Sequence, residues 1–85
     1  MPKGKLQDRV ARYLIEAKGF QEIPSTSRKY RKFMDPLNKG HFHFLGRNGA
    51  VRIGRTISGS RSLTAVVVRL MKVWEREQHE EDSHE

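Results

Sequence analysis

The chain contains no cysteine. That excludes disulfide staples and thiolate metal centres, the usual supports of very small secreted domains and zinc fingers, and makes a cytoplasmic setting the expectation. Long apolar runs are missing too: nothing approaches the ~20 residues needed to span a bilayer. The opening Met1-Pro-Lys-Gly-Lys leads into a mixed polar helix instead of a signal-peptide core, so no membrane partner is expected. Acid is scarce where it would matter most, because between Arg28 and Arg61 only Asp35 stands against nine Lys or Arg residues. With 85 residues, 35% of them hydrophobic, there is material for one small core and little for a separate catalytic cavity.

What is present is cationic charge, unevenly placed. Residues 1–74 hold 16 Lys or Arg against four acids, whereas residues 75–85 hold six acids against Arg76. An excess of this size attracts phosphate backbones over about a Debye length, ~8 Å at physiological salt. Residues 1–74 read as a single α+β domain, and 75–85 as an acidic, disordered tail without apolar anchors. Folded back over the basic face, that tail would compete with a polyanion.

From Lys5 to Lys18, Leu6, Val10, Tyr13, Leu14 and Ala17 fall at helical spacing and form one stripe. Gly19 can take the left-handed conformation that ends a helix, with Phe20 docking back on it. Ile23 to Ser27 reads as a connector, since Pro24 disfavours helix before it. Three strands are expected next. The first covers about Arg28 to Met34, where Tyr30 and Phe33 break strict alternation, so that either a bulge intervenes or only one of them faces the core; Asp35-Pro36 to Gly40 then makes a turn. The second covers His41 to Leu45 and the third Ala50 to Arg55.

Asn48-Gly49 between them predicts a two-residue type I′ hairpin. In that register Arg47 faces Ala50, Leu45 faces Arg52, Phe44 faces Ile53 and His43 faces Gly54. Phe42, Phe44, Val51 and Ile53 then share the core side, while His41, His43 and Arg52 share the other. A Gly/Ser-rich loop at 56–62 precedes a helix whose stripe is Leu63, Val66, Val67, Leu70, Met71 and Trp74, with Ser60 or Ser62 as its cap. The expected order is α-β-β-β-α, a three-stranded antiparallel meander with both helices on its apolar face.

The opposite face would stay open, carrying His41, His43 and Arg52, with Arg28 or Lys32 beside them. Guanidinium groups bind phosphates bidentately, and imidazoles can hydrogen-bond or stack on bases. Tyr30 or Phe33 would stack only if the irregular first strand turned one outward; otherwise the aromatics are expected in the core. The loop Gly54 to Ser62 can hold a phosphate at the helix start with Arg55 and Arg61 as clamps, although it lacks the Gly-Lys-Ser/Thr signature of nucleotide hydrolases. His41-Phe42-His43 has metal-like spacing but no third ligand nearby in sequence, so no metal and no cofactor are expected.

The element order over residues 5–74, with Lys18-Gly19-Phe20 closing the first helix, Ser27-Arg28-Lys29-Tyr30 entering the first strand and Leu63 opening the last helix, resembles the double-stranded-RNA-binding-domain fold. Among small bacterial proteins it is similar to HicA-type toxins, which use that fold as mRNA interferases. In those proteins a Gly-Ser-His motif in the first strand region bears the catalytic histidine, and here the stretch reads Ser27-Arg28-Lys29. Residues 28–74 also resemble the three-stranded DNA-binding domains at the N-termini of phage integrases, whose sheet enters the major groove.

The reading is thus a non-catalytic protein whose partner is nucleic acid, RNA or DNA. Arg28, Lys29, Arg31, Arg47, Arg52, Arg55 and Arg61 are the expected phosphate contacts, and His41 and His43 the expected base or sugar contacts. Two alternatives stand beside it: a small HicA-like ribonuclease using His41 or His43, and an interaction module docking an acidic protein partner.

Overall fold

The computed structural model describes residues 5–83, with side chains through His79; the basic start at residues 1–4 and the last two residues lie outside them. Helix α1 spans Leu6–Glu16 and buries Val10, Ala11, Tyr13 and Leu14. Gly19, at φ 71°, ends it as the sequence predicts. The Phe20 N–H donates back to the Leu14 carbonyl at 2.9 Å, and the Phe20 ring enters the core.

Five strands follow, β1 Gln21–Ile23, β2 Tyr30–Asp35, β3 Asn38–Gly46, β4 Val51–Gly54 and β5 Arg61–Ser62, and then helix α2, Thr64–Ser83. They form one antiparallel sheet in the order β1-β2-β3-β4-β5. The class is α+β, and the three-stranded meander gains a short strand on each edge. β1 takes residues just before and into the expected connector, and Pro24 follows it. β5 takes the end of the expected Gly/Ser loop. Both edge strands are too short to show alternation, which is why the sequence pattern passes over them.

Of the two expectations for the first strand, the structure shows that only one of Tyr30 and Phe33 faces the core. β2 alternates cleanly, with Phe33 fully buried and Tyr30 on the other side, and its register shift falls between Met34 and Asp35. Asp35 Oδ1 accepts the Leu37 N–H at 2.8 Å, and β3 begins at once with Asn38.

The main correction concerns the β3–β4 hairpin. Leu45 pairs Val51, Phe44 pairs Arg52, His43 pairs Ile53 and Phe42 pairs Gly54, one residue away from the I′ register. The Gly46 N–H donates to the Ala50 carbonyl at 2.7 Å, so the loop has three residues, Arg47-Asn48-Gly49. Only Gly49 takes a positive φ, 90°. A type I′ turn needs positive φ at Asn48 as well, whereas a three-residue loop with Gly in the last place needs it once. Gly49 is further fixed because a Cβ there would lie 2.5 Å from the Leu6 side chain.

Because side chains alternate with period two, a one-residue slip exchanges the faces. Phe33, Leu45 and Val51 meet Val10, Leu14, Phe20, Val67 and Met71 in one core, so both helices cover the face that also holds His43. Phe42 and Phe44 lie on the other face.

α2 starts where the Leu63 N–H donates to the Val51 carbonyl at 2.8 Å and the Val51 N–H donates to Thr64 Oγ1 at 3.0 Å. Neither proposed serine caps it in the expected way: Ser62 Oγ lies 3.3 Å from Thr64 Oγ1, and Ser60 serves Arg52. The acidic segment expected to be disordered from residue 75 continues this helix to Ser83. Its first residue explains the continuation. Arg9 donates to both Glu75 oxygens, at 3.1 and 2.7 Å, tying α2 to α1, while Tyr13 and Trp74 meet edge to face at 5.8 Å. Among the described residues no helix is long and apolar enough to cross a membrane.

Candidate nucleic-acid interface

The face opposite the helices is built from alternate residues of the strands. One cross-strand row, Ile23–Lys32–Phe44–Arg52–Ser62, spans all five strands, and beside it runs Gln21–Met34–Phe42–Gly54. Tyr30, opposite Gly46, extends the face toward one end of the sheet. No carboxylate occurs among these residues. Aromatic and cationic side chains therefore interleave on a surface without internal neutralisation.

Two contacts define its chemistry. The Lys32 ammonium sits 4.1 Å from the Phe42 ring centroid, a cation–π distance, and Phe42 and Phe44 are tilted neighbours at 6.4 Å. Arg52 donates from Nε to Ser60 Oγ at 2.7 Å and from Nη2 to the Ser60 carbonyl at 2.7 Å, while Ser60 Oγ donates to the Ile57 carbonyl at 2.6 Å. Neutral acceptors thus hold the guanidinium in place and leave its charge uncompensated. Phe44 is 7% exposed yet stands outside the core cluster, with Lys32 and Arg52 directly across from it on either side.

The rim adds exposed cations. Arg28 and Lys29 lie in the β1–β2 loop, whose backbone N–H groups at Ser27, Lys29 and Tyr30 donate to the Ser25 and Ser27 hydroxyls at 3.1–3.3 Å. Arg47 lies in the β3–β4 loop. Since Tyr30 pairs Gly46, these three cations gather at one end of the open face.

The other five expected contacts lie elsewhere. Arg31 is on the helix-covered side, where it donates to both Glu22 oxygens at 2.9 and 2.7 Å and lies 3.5 Å from Asp8. The pairing holds Glu22 below the usual carboxylate range and raises Arg31. Arg31 is therefore a structural cation.

His43, 9% exposed, packs on Phe20 at 4.6 Å between cross-strand neighbours Phe33 and Ile53. Burial lowers its pKa, and Nδ1 finds no partner among the described residues. It is a buried histidine on the helix-covered side of the sheet, not on the open face where it was expected. His41 shares its side of β3 and lies beyond the helices, its Nδ1 3.2 Å from the Asn38 amide. There it joins Arg55, Arg61, Thr56 and Ile53 around an open hollow of about 450 Å³.

That hollow also corrects the loop expectation. Residues 55–60 join β4 to β5, so strand β5 and Leu63 stand between the loop and the start of α2. Arg55 and Arg61 do come together, but beside His41 and away from a helix terminus.

Sequence reasoning undervalued Lys32 and placed Phe42 and Phe44 inside. The signal that would have found them is Gly46-Arg47-Asn48-Gly49-Ala50, which reads equally well as a three-residue loop with glycine in the left-handed place. Comparison with known proteins found no family model, no curated protein and no solved structure that matches the chain.

Proposed function

We propose that this protein binds nucleic acid, without catalysing a reaction on it, through the open face of the sheet. The observation that carries the reading is Lys32 and Arg52 interleaved with Tyr30, Phe42 and Phe44 on a face with no acid among its described residues. Arg52 is preorganised by Ser60 as a phosphate contact, Lys32 over the Phe42 ring is a second, and Arg28, Lys29 and Arg47 extend the positive field along the rim. Arg55 and Arg61 supply a second group of cations around the sheet end, with His41 beside them, in reach of a backbone that rounds β4 and β5.

Binding of a labelled oligonucleotide at several salt concentrations tests this reading. Replacing Lys32 and Arg52 together by Ala is expected to weaken binding at least tenfold and to lower the slope of log K against log salt by roughly 1.4 to 1.8, the loss of two phosphate contacts. Replacing Arg31, already neutralised by Glu22, is expected to leave that slope unchanged. Equal affinity and slope for the double variant and the unaltered chain would contradict the proposal.

A further inference from the structure

Resting on that reading, we infer that the open face takes single-stranded nucleic acid by stacking an unpaired base on Phe42, with Tyr30 as a second platform. Duplex is not its ligand. Phe42 and Tyr30 are the partly exposed rings of this face, whereas Phe33 is fully buried beneath the helices. An exposed ring gains from a base only when that base offers a free π-face, which a base inside a duplex does not.

Sheet width points the same way. Five strands at ~4.8 Å spacing span about 19 Å of backbone, too wide for the ~12 Å major groove that a two-stranded ribbon can enter. The face is therefore not a groove reader.

The Lys32 contact gives the stacking site a mechanism. Its ammonium rests over the Phe42 ring at 4.1 Å, the place a base would take. A base arriving there displaces the ammonium, which is released beside the phosphate of the same nucleotide. Cation–π attraction is exchanged for base stacking plus a phosphate contact, and neither group is left unpaired. Across the sheet Arg52 keeps its fixed position on Ser60 and holds a neighbouring phosphate. Tyr30 faces Gly46, four residues from Phe42 along β3, which puts the two platforms about 13 Å apart along the strand direction.

Fluorescence anisotropy with four probes, a dodecamer of uridine, a dodecamer of thymidine, and twelve-base-pair RNA and DNA duplexes, separates the possibilities on the full chain. The single strands are expected to bind at least tenfold more tightly than the duplexes at the same salt. Phe42→Leu, which keeps apolar bulk and removes the ring, is expected to weaken single-strand binding roughly tenfold with the salt slope unchanged. Upfield shifts of the Phe42 ring protons on adding the uridine dodecamer to the unaltered chain give the same answer without a variant. Equal binding of strands and duplexes, with no ring shift and an indifferent Phe42→Leu, would overturn the stacking inference and leave charge-based binding standing. Failure of all four probes to bind at moderate salt would overturn both, and leave an acidic protein as the partner these cations fit.

Discussion

Two adjacent rows of the sheet, each crossing all five strands, face opposite ways and were made for different environments. Glu22–Phe33–His43–Ile53–Arg61 points to the helices, and Ile23–Lys32–Phe44–Arg52–Ser62 points away from them. The first places a histidine in the core and the second places a phenylalanine outside it, the reverse of what hydrophobicity alone would choose for β3. Burial is decided by the partners that a residue meets: Leu45 and Val51 pair in the core under Val10 and Met71, and their register carries His43 in and Phe44 out. The cost on the covered side is an imidazole nitrogen without a partner among the described residues. The gain on the open side is a surface where rings and cations alternate.

The largest effect that tests this contrast is on stability. Phe33→Ala on the covered face is expected to cost about 4 kcal/mol, comparable with the whole stability of a domain this size, as read by urea unfolding. Phe42→Ala, from a partly exposed site, is expected to cost less than about 1.5 kcal/mol by the same measurement. Equal losses would mean that the two faces are not distinct.

The hairpin that sets the faces can be tested directly. Gly49→Ala meets both a φ of 90° and the Leu6 side chain, so a loss of roughly 2 kcal/mol or more is expected. Asn48→Ala removes only the bond in which the Ala50 N–H donates to Asn48 Oδ1 at 3.1 Å, and about 0.5–1 kcal/mol is expected. A type I′ turn would make Asn48 as sensitive to a β-branched replacement as Gly49 is to Ala.

Acid sharpens the comparison further, because His43 is held neutral by burial. Its folded pKa lies below its unfolded value of about 6.5, so the unfolded chain binds the extra proton first. Its contribution is complete above about pH 6.5 and is lost as pH falls through the folded value. The melting temperature should therefore fall as pH drops below about 6.5, and His43→Phe should flatten that decline. The smallest effect belongs to the Glu22–Arg31 pair. Glu22 is also lowered, so its contribution is lost only below about pH 4.5, and as a partly exposed pair it should amount to under 1 kcal/mol.

Much of this was legible in the sequence. The first helix, its Gly19 stop, the docking of Phe20, the three central strands and the helix beginning near Leu63 follow from periodicity and turn chemistry. The choice of face was not legible, because β3 is apolar on both sides: Phe42 and Phe44 alternate with His43 and Leu45. Alternation then fixes which residues share a face without fixing which face is covered. The decision fell to one residue of loop length, which Gly46 to Ala50 leaves open. For the site, Arg52 and the rim cations Arg28, Lys29 and Arg47 could be read from charge. Arg31 could not be removed from the set without knowing that Glu22 lies in a strand beside β2. Helix beyond Trp74 was equally hidden, since its anchor is Arg9, 66 residues away.

The proposed binding face consists of the even-numbered residues of β2 and β3. Amide and ring chemical shifts of the labelled chain, followed as a uridine dodecamer is added, test it most directly. Tyr30, Lys32, Phe42, Phe44 and Arg52 are expected to move together and saturably while Arg31, His43 and Leu45 stay in place. Shifts concentrated on α1, α2 or the His41–Arg55–Arg61 hollow, with the open face silent, would contradict it.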